Sequence, residues 1–379
     1  MIYADYNATA PLRPEARDAM LAAMDVQANP SSVHGAGRAA RKVLEKARGQ
    51  IGNAIGAAAK DIVFTSGGTE ANALALHGAV RALDGKATLY VSAIEHEAVT
   101  QNAGLVGAPV RSVPVTPVGT LDLDALKSLL DVHSEADGTP ILALMQANNE
   151  TGVIQPVGEA SALVRAAGGL VHCDAVQSLG KIQVNALLLG ADYIALSAHK
   201  CGGPQGVGAI WVRAGAPLKP VQLGGGQERS LRSGTENLAG IAGFGAAAEA
   251  SAADLSNFAK LASQRDAMED KLISEGGVTV FGRGAERLPN TSNFALQGFK
   301  SETQVMAMDL AGICVSAGAA CSSGKVSRSL VLGAMGVDDT LASAAIRTSY
   351  GWKSSEKDFA ATADAWLNAQ ARANLSGSS

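Results

Sequence analysis

A chain of 379 residues, 47% hydrophobic and 17% charged with 43 glycines, fits a large globular protein with many tight strand–helix turns and excludes a disordered or fibrous chain. Its formal net charge of -4, with no basic stripe interleaved with aromatics, excludes nucleic acid as a main partner. The opening MIYADYNATAPLRPE has no basic region ahead of an apolar core, and the longest weakly apolar run, NLAGIAGFGAAAEASAA, is broken by Glu249, so neither a secretory signal nor a membrane span is expected.

In chain order, GRAARKVLEKARGQIGNAIG reads first as one long amphipathic helix. From about residue 60 to 215 apolar strands alternate with helical patterns. DIVFTS, ATLYVSAI, VRSVPV, PILALMQ, LVHCDAV, DYIALSA and VGAIWVR are the strands, and runs such as TEANALALHGAVRAL and VGEASALVRAAG are the helices. This pattern predicts an α/β fold with a mostly parallel seven-stranded sheet. After about residue 237 come Ala-rich helices and then short strands, VTVFG, TSNFALQ, ICVSAG and AIRTSY, which predict a smaller α+β domain. The expected division is a large unit over 14–255 and a small unit made of 1–13 and 256–379.

Three strand ends carry chemistry. In IVFTSGGTEANALAL a strand meets Gly67 and Gly68, and a helix is expected from about Thr69 with Glu70 in its first turn. Free amides at a helix start bind phosphate, although an ordinary structural turn has the same sequence. LVHCDAVQSLGK sets Asp174 at the end of a buried strand, where a carboxylate is costly unless a cation pairs with it; a plain salt bridge is the alternative. ALSAHKCGGPQG sets Lys200 at the end of the next strand, and such ends converge on one edge of a parallel sheet. An acid, a lysine and a phosphate cradle meeting there are what pyridoxal phosphate requires: the lysine forms a Schiff base, and the carboxylate keeps the ring nitrogen protonated.

The sequence resembles the cysteine desulfurases of the NifS/IscS type, within the class V aminotransferases and the fold-type I pyridoxal phosphate enzymes. The likeness runs from YADYNATAP to IRTSYGW through NPSSVHGAGR, TSGGTEANALAL, EHEAV, NNETGVIQP, DAVQSLGK, SAHK, GGGQERSLRSGTEN and SAGAACSSG. It implies that Lys200 holds the cofactor and moves protons, that Asp174 pairs with the ring nitrogen, and that Gln177 donates to the phenolic oxygen. His96 would stack on the ring and move a proton. Gly68, Thr69, Ser197 and His199 would hold the phosphate, joined by Thr235 from the partner subunit of a homodimer. Asn149 would contact cofactor and substrate, and Arg347 would grip the substrate carboxylate through its planar fork. Taken singly, His96 also reads as a helix-start histidine, His199 as a core hydrogen-bonder and Arg347 as half of a structural ion pair. His34 of SSVHGAG receives no chemical role.

The four cysteines, Cys173, Cys201, Cys314 and Cys321, form no CxxC pair, so reduced thiols in a cytoplasmic protein and no metal site are expected. Cys173 and Cys314 read as buried, inert thiols, and Cys201 as structural. Cys321 lies in SAGAACSSGKVSRS, a Ser/Gly-rich loop able to expose its thiol. The resemblance implies that its thiolate takes the sulfur of L-cysteine as a persulfide, leaves alanine, and passes the sulfur to an acceptor protein, with iron–sulfur cluster assembly the expected use. Arg328 stands where the long-loop branch commonly has proline, and the chain stops soon after DAWLNAQARANLSGSS, without the longer extension of some relatives; both leave the acceptor open. A selenocysteine lyase, or another lyase or aminotransferase of this fold, is the competing expectation, as is a binding protein that has lost its chemistry.

Overall fold

The computed structural model describes residues 1–318 and 329–376. Its strands are β1 (Ile2–Tyr3), β2 (Ile62–Thr65), β3 (Ala87–Ser92), β4 (Val110–Val113), β5 (Thr139–Met145), β6 (Leu170–Asp174), β7 (Tyr193–Ser197), β8 (Gly208–Val212), β9 (Thr279–Val280), β10 (Thr291–Ala295), β11 (Ile313–Cys314), β12 (Ser316–Ala317) and β13 (Ala345–Ser349). The seven expected strands form one sheet in the order β2-β8-β7-β6-β5-β3-β4. All neighbours are parallel except β8, which runs antiparallel to both β2 and β7. β3, β6 and β7 read as near-continuous apolar runs because helices cover both faces of such a sheet.

Helices pack on this sheet through small residues. Gly35–Ala54 is capped by His34, whose Nδ1 accepts from the Gly37 amide, which gives that motif histidine a structural task. Its Leu44 and Ile51 join the core beneath β2, each contributing about 1.5–3 kcal/mol by burial. Leu238–Ala253, capped by Asn237, lies against it so closely that a Cβ on Gly245 would stand 2.6 Å from the Ala47 Cα. The Ala/Gly composition of that helix is thus a packing requirement.

β12, β13, β10 and β9 form a second, antiparallel sheet, and β1 pairs in parallel with β11. Their core gathers Phe294, Ile346, Tyr350, Phe359 and Trp366, the Trp366 indole donating to Gln304 Oε1 at 2.7 Å. Residues 4–10 tie the two sheets together: the Tyr6 amide donates to the Ser349 carbonyl, and the Ala10 amide to the carbonyl of His199. Among the described residues no helix is long and apolar enough to cross a membrane.

Candidate active site

At the C-terminal ends of β5, β6 and β7, where Met145 is in register with Asp174 and Asp174 with Ala195, a cavity of about 300 Å³ opens against the second sheet. Gly68, Thr69, His96, Asn149, Asp174, Gln177, Ser197, His199, Lys200 and Arg347 all line it. Sequence reasoning had picked each of them.

The helix Gly68–Ala82 starts one residue earlier than expected, and its first amides have no intrahelical acceptors. The turn before it is fixed by Thr65 Oγ1 donating to the Gly67 carbonyl and by Glu70 Oε2 accepting from the Ser66 amide. Glycine is required here by close approach. A Cβ on Gly68 would lie 2.7 Å from Val176 Cγ2, and one on Gly208 of β8 would lie 2.5 Å from the Gly67 carbonyl carbon.

Asp174 is buried, 6% exposed, and among the described residues its partners are neutral donors, not the Lys or Arg of a plain salt bridge. Asn72 Nδ2 donates to Oδ2 at 2.8 Å and the Val176 amide to Oδ1 at 2.9 Å. A buried carboxylate held by neutral donors and facing a cavity suits a cation supplied from the cavity side.

Lys200 ends a short turn, Ala198–Lys200, and its Nζ donates to the carbonyls of Asn7 and Ala8 at 2.6 and 2.8 Å. Asn7 is a hub: its carbonyl also accepts from Gln177 Nε2, and its Oδ1 accepts from Lys181 Nζ at 2.8 Å. Lys181 donates again to Gln177 Oε1. Burial pushes the Lys181 amine well below its ordinary range, and the charges of Lys200 and Arg347 add to the effect.

His96 is indeed a helix-start residue, capping Glu97–Leu105 by accepting from the Ala98 amide at Nδ1 while its ring lines the cavity. His199 has Nδ1 3.1 Å from Thr9 Oγ1; burial, with Lys200 and Lys181 nearby, pushes it down to about 4, so the ring is neutral. Arg347, at the centre of β13, is both a cavity residue and half of an ion pair, with Nη2 2.8 Å from Asp5 Oδ1.

Two picked residues lie apart. Thr235 is exposed and lines a smaller hollow of about 90 Å³ beside Ser66 and Gly206. Cys321 lies outside the described residues. Cys173 is buried as expected and Cys201 is too, its Sγ donating to the Ala198 carbonyl, whereas Cys314, paired with Tyr3 across β1 and β11, is only half-buried. Asp5, Asn7, Asn72 and Lys181 went unassigned. The available signal was polarity: Asn72 interrupts an apolar helix face, and Lys181 follows a buried turn.

An amide cradle that excludes a Cβ, a carboxylate without a cation, and a lysine at the same sheet edge fit the phosphate, ring nitrogen and aldehyde of pyridoxal phosphate. Among the described residues no group of His, Cys, Asp and Glu is placed to hold a metal ion.

The sequence matches the aminotransferase class-V family over residues 2–361. It is 42% identical over 355 residues to a cysteine desulfurase of Cereibacter sphaeroides, covering 92% of this chain and 90% of that one. To the cysteine desulfurase IscS of Dictyoglomus turgidum it is 39% identical over 372 residues, 96% of this chain and 93% of that one. Among solved structures, a NifS-like protein of Rickettsia africae superposes with a TM-score of 0.88 at 32% identity, covering 97% of this chain and 99% of that one.

Proposed function

The chain belongs to the aminotransferase class-V family, and from that premise we propose that it is a pyridoxal phosphate enzyme releasing alanine from L-cysteine, a cysteine desulfurase. The observation that carries the reading is the convergence of Asp174, Lys200, Arg347 and the Gly68–Thr69 amides on one cavity. Bound pyridoxal phosphate supplies an electron sink for the charge left when the substrate's α-proton departs.

The protein's own residues do the rest. Gly68, Thr69, Ser197 and His199 hold the phosphate, Asp174 holds the ring nitrogen, and Gln177 turns its amide to the phenolic oxygen. Lys200 holds the cofactor and takes the α-proton. His96, its Nδ1 occupied by the Ala98 amide, has Nε2 for proton transfer and offers its ring face for stacking. Arg347 and Asn149 orient the substrate carboxylate. The Cys321 thiolate forms the new sulfur–sulfur bond as the carbon–sulfur bond of the substrate breaks. An acceptor protein then takes the sulfur, with iron–sulfur cluster assembly as its use.

A cytoplasmic homodimer belongs to the same proposal. Thr235 would serve the partner subunit's phosphate site, and its exposure supports that reading. So does the division into 14–255 and 1–13 with 256–379, supported by the separate core of Phe294, Ile346 and Trp366.

The test is alanine released from L-cysteine with a reductant present, wild type beside Cys321→Ala. Alanine from the wild type and almost none from the variant is expected. Equal alanine from both would remove Cys321 from the reaction and point to a different lyase. A yellow protein that releases none would keep the cofactor and overturn the substrate.

A further inference from the structure

A line of hydrogen bonds runs from Asp174 through Asn72, which also borders the cavity, to His172, which does not. Asn72 Nδ2 donates to Asp174 Oδ2 at 2.8 Å, and Asn72 Oδ1 lies 2.7 Å from His172 Nε2. His172 is 0% exposed and Asn72 1%. The two come from different elements: His172 precedes Asp174 by two residues on the same face of β6, and Asn72 lies in the helix whose start forms the amide cradle.

The direction of the line is forced by donor chemistry. An ionised carboxylate only accepts, so Asn72 must face Asp174 with its amide nitrogen. Its carbonyl oxygen then faces His172, which must donate from Nε2. A neutral ring in that tautomer has a bare Nδ1, and Nδ1 has no hydrogen-bond partner among the described residues. Burial pushes His172 down to about 4, outweighing the opposing pulls of Asp174 and of the Tyr193 backbone, so the ring is neutral at neutral pH. The other titratable neighbours of Asp174 are Glu95 and Cys173, and burial drives both toward their neutral forms with Asp174 adding to it.

We propose that His172 and Asn72 are positioning residues: the neutral imidazole, acting through the Asn72 amide, fixes the orientation of the Asp174 carboxylate that meets the cofactor's ring nitrogen. The inference rests on the pyridoxal phosphate reading above. Its physical content is that neutral donors stabilise the charge of Asp174 without cancelling it. A cationic partner in the same place would compete with the ring nitrogen for that charge.

The test uses the full-length protein stripped of cofactor and retitrated with pyridoxal phosphate, followed by visible absorption. His172→Leu and Asn72→Leu are compared with His172→Gln, whose amide still donates. Each Leu variant is expected to bind pyridoxal phosphate roughly 10- to 100-fold more weakly, the scale of one hydrogen bond to a charged group. The pH midpoint of the bound cofactor's colour change moves in both, and His172→Gln restores affinity and midpoint toward wild type. Should His172→Leu fail to fold, the Asn72→Leu and His172→Gln pair carries the same decision. Unchanged affinity and midpoint in a folded Leu variant, even one that unfolds more easily, would reduce the line to a structural feature and overturn the proposal. A wild type that takes up no pyridoxal phosphate would overturn the cofactor reading itself.

Discussion

Arg347 donates from Nη2 to Asp5 at 2.8 Å and from Nη1 to the Asn149 carbonyl at 2.9 Å, which clamps the guanidinium plane inside the cavity wall. The side chain is only 2% exposed and its Nε has no hydrogen-bond partner among the described residues. A planar cation already fixed by two partners loses little further freedom on meeting a carboxylate. Arg347→Lys is therefore expected to raise KM for L-cysteine roughly 10- to 100-fold while the cofactor's colour stays, because an ammonium cannot keep three separate partners in that plane. Steady-state kinetics decide it. An unchanged KM would leave Arg347 as the structural partner of Asp5 alone.

Gly67, in the turn before the Gly68–Ala82 helix, and Gly208, on the β8 strand that packs against it, are separated by the structure. A Cβ on Gly67 meets nothing within 4 Å, and its backbone is extended; a Cβ on Gly208 would press on the Gly67 backbone at 2.5–2.7 Å. Gly208→Ala should destabilise the cofactor-free protein by about 1–3 kcal/mol, the usual cost of overpacking, and Gly67→Ala by almost nothing. Urea unfolding compares them. Equal losses would mean that the turn gives way and that close approach is not what selects glycine at 208.

Seven strands were legible because each is a short apolar run bounded by turn residues; β2, β3 and β7 are buried from end to end, and β5 and β6 after their first residue. The reversal of β8 was not legible, since GAIWV would be equally buried in either direction. Lys200, Asp174 and Gly68 announced themselves by lying at strand ends. Their partners did not. Asp5 lies 342 residues from Arg347 and Asn72 lies 102 from Asp174, so no local pattern links them. The alternative of a plain salt bridge for Asp174 is not realised among the described residues, because an amide from another helix and the following backbone meet it instead. The reading of Cys321 rests on its loop composition and the family likeness, and the residue lies outside the described residues.

Lys181 dictates which way two amides face. It donates to both Asn7 Oδ1 and Gln177 Oε1, so those atoms must be oxygens, and Gln177 is left to offer its nitrogen elsewhere. Lys181→Met strands Gln177 Oε1 and leaves Asn7 Oδ1 with only the longer bond from Asn290 Nδ2, at a cost of about 1–3 kcal/mol. The folded-state value of Lys181 lies well below 10.5, so its stabilisation is present above the unfolded value and is lost as pH falls through the folded one. The advantage of wild type over Lys181→Met should accordingly shrink as the pH of urea unfolding is lowered. A gap independent of pH would mean that the buried amine does not change charge on unfolding.

Glu150 accepts from Ser329 Oγ at 2.5 Å, and Ser329 caps the helix Leu330–Ala334. Burial pushes its carboxyl up to about 7 from an ordinary value of 4.5, although the Ser329 bond and the charges of Arg347 and His96 pull the other way. The folded value lies above the unfolded one, so the stability this proton brings is complete below 4.5 and is lost as pH rises through about 7. The full span corresponds to roughly 3 kcal/mol at most. Glu150→Gln keeps an acceptor for Ser329 and cannot ionise. Relative to wild type the variant should therefore gain stability between pH 5 and pH 8, by an amount of order 1–3 kcal/mol in urea unfolding. Wild type and variant curves that stay parallel across that window would show that Glu150 keeps one charge state throughout, and would remove it as a source of pH dependence next to Arg347 and His96.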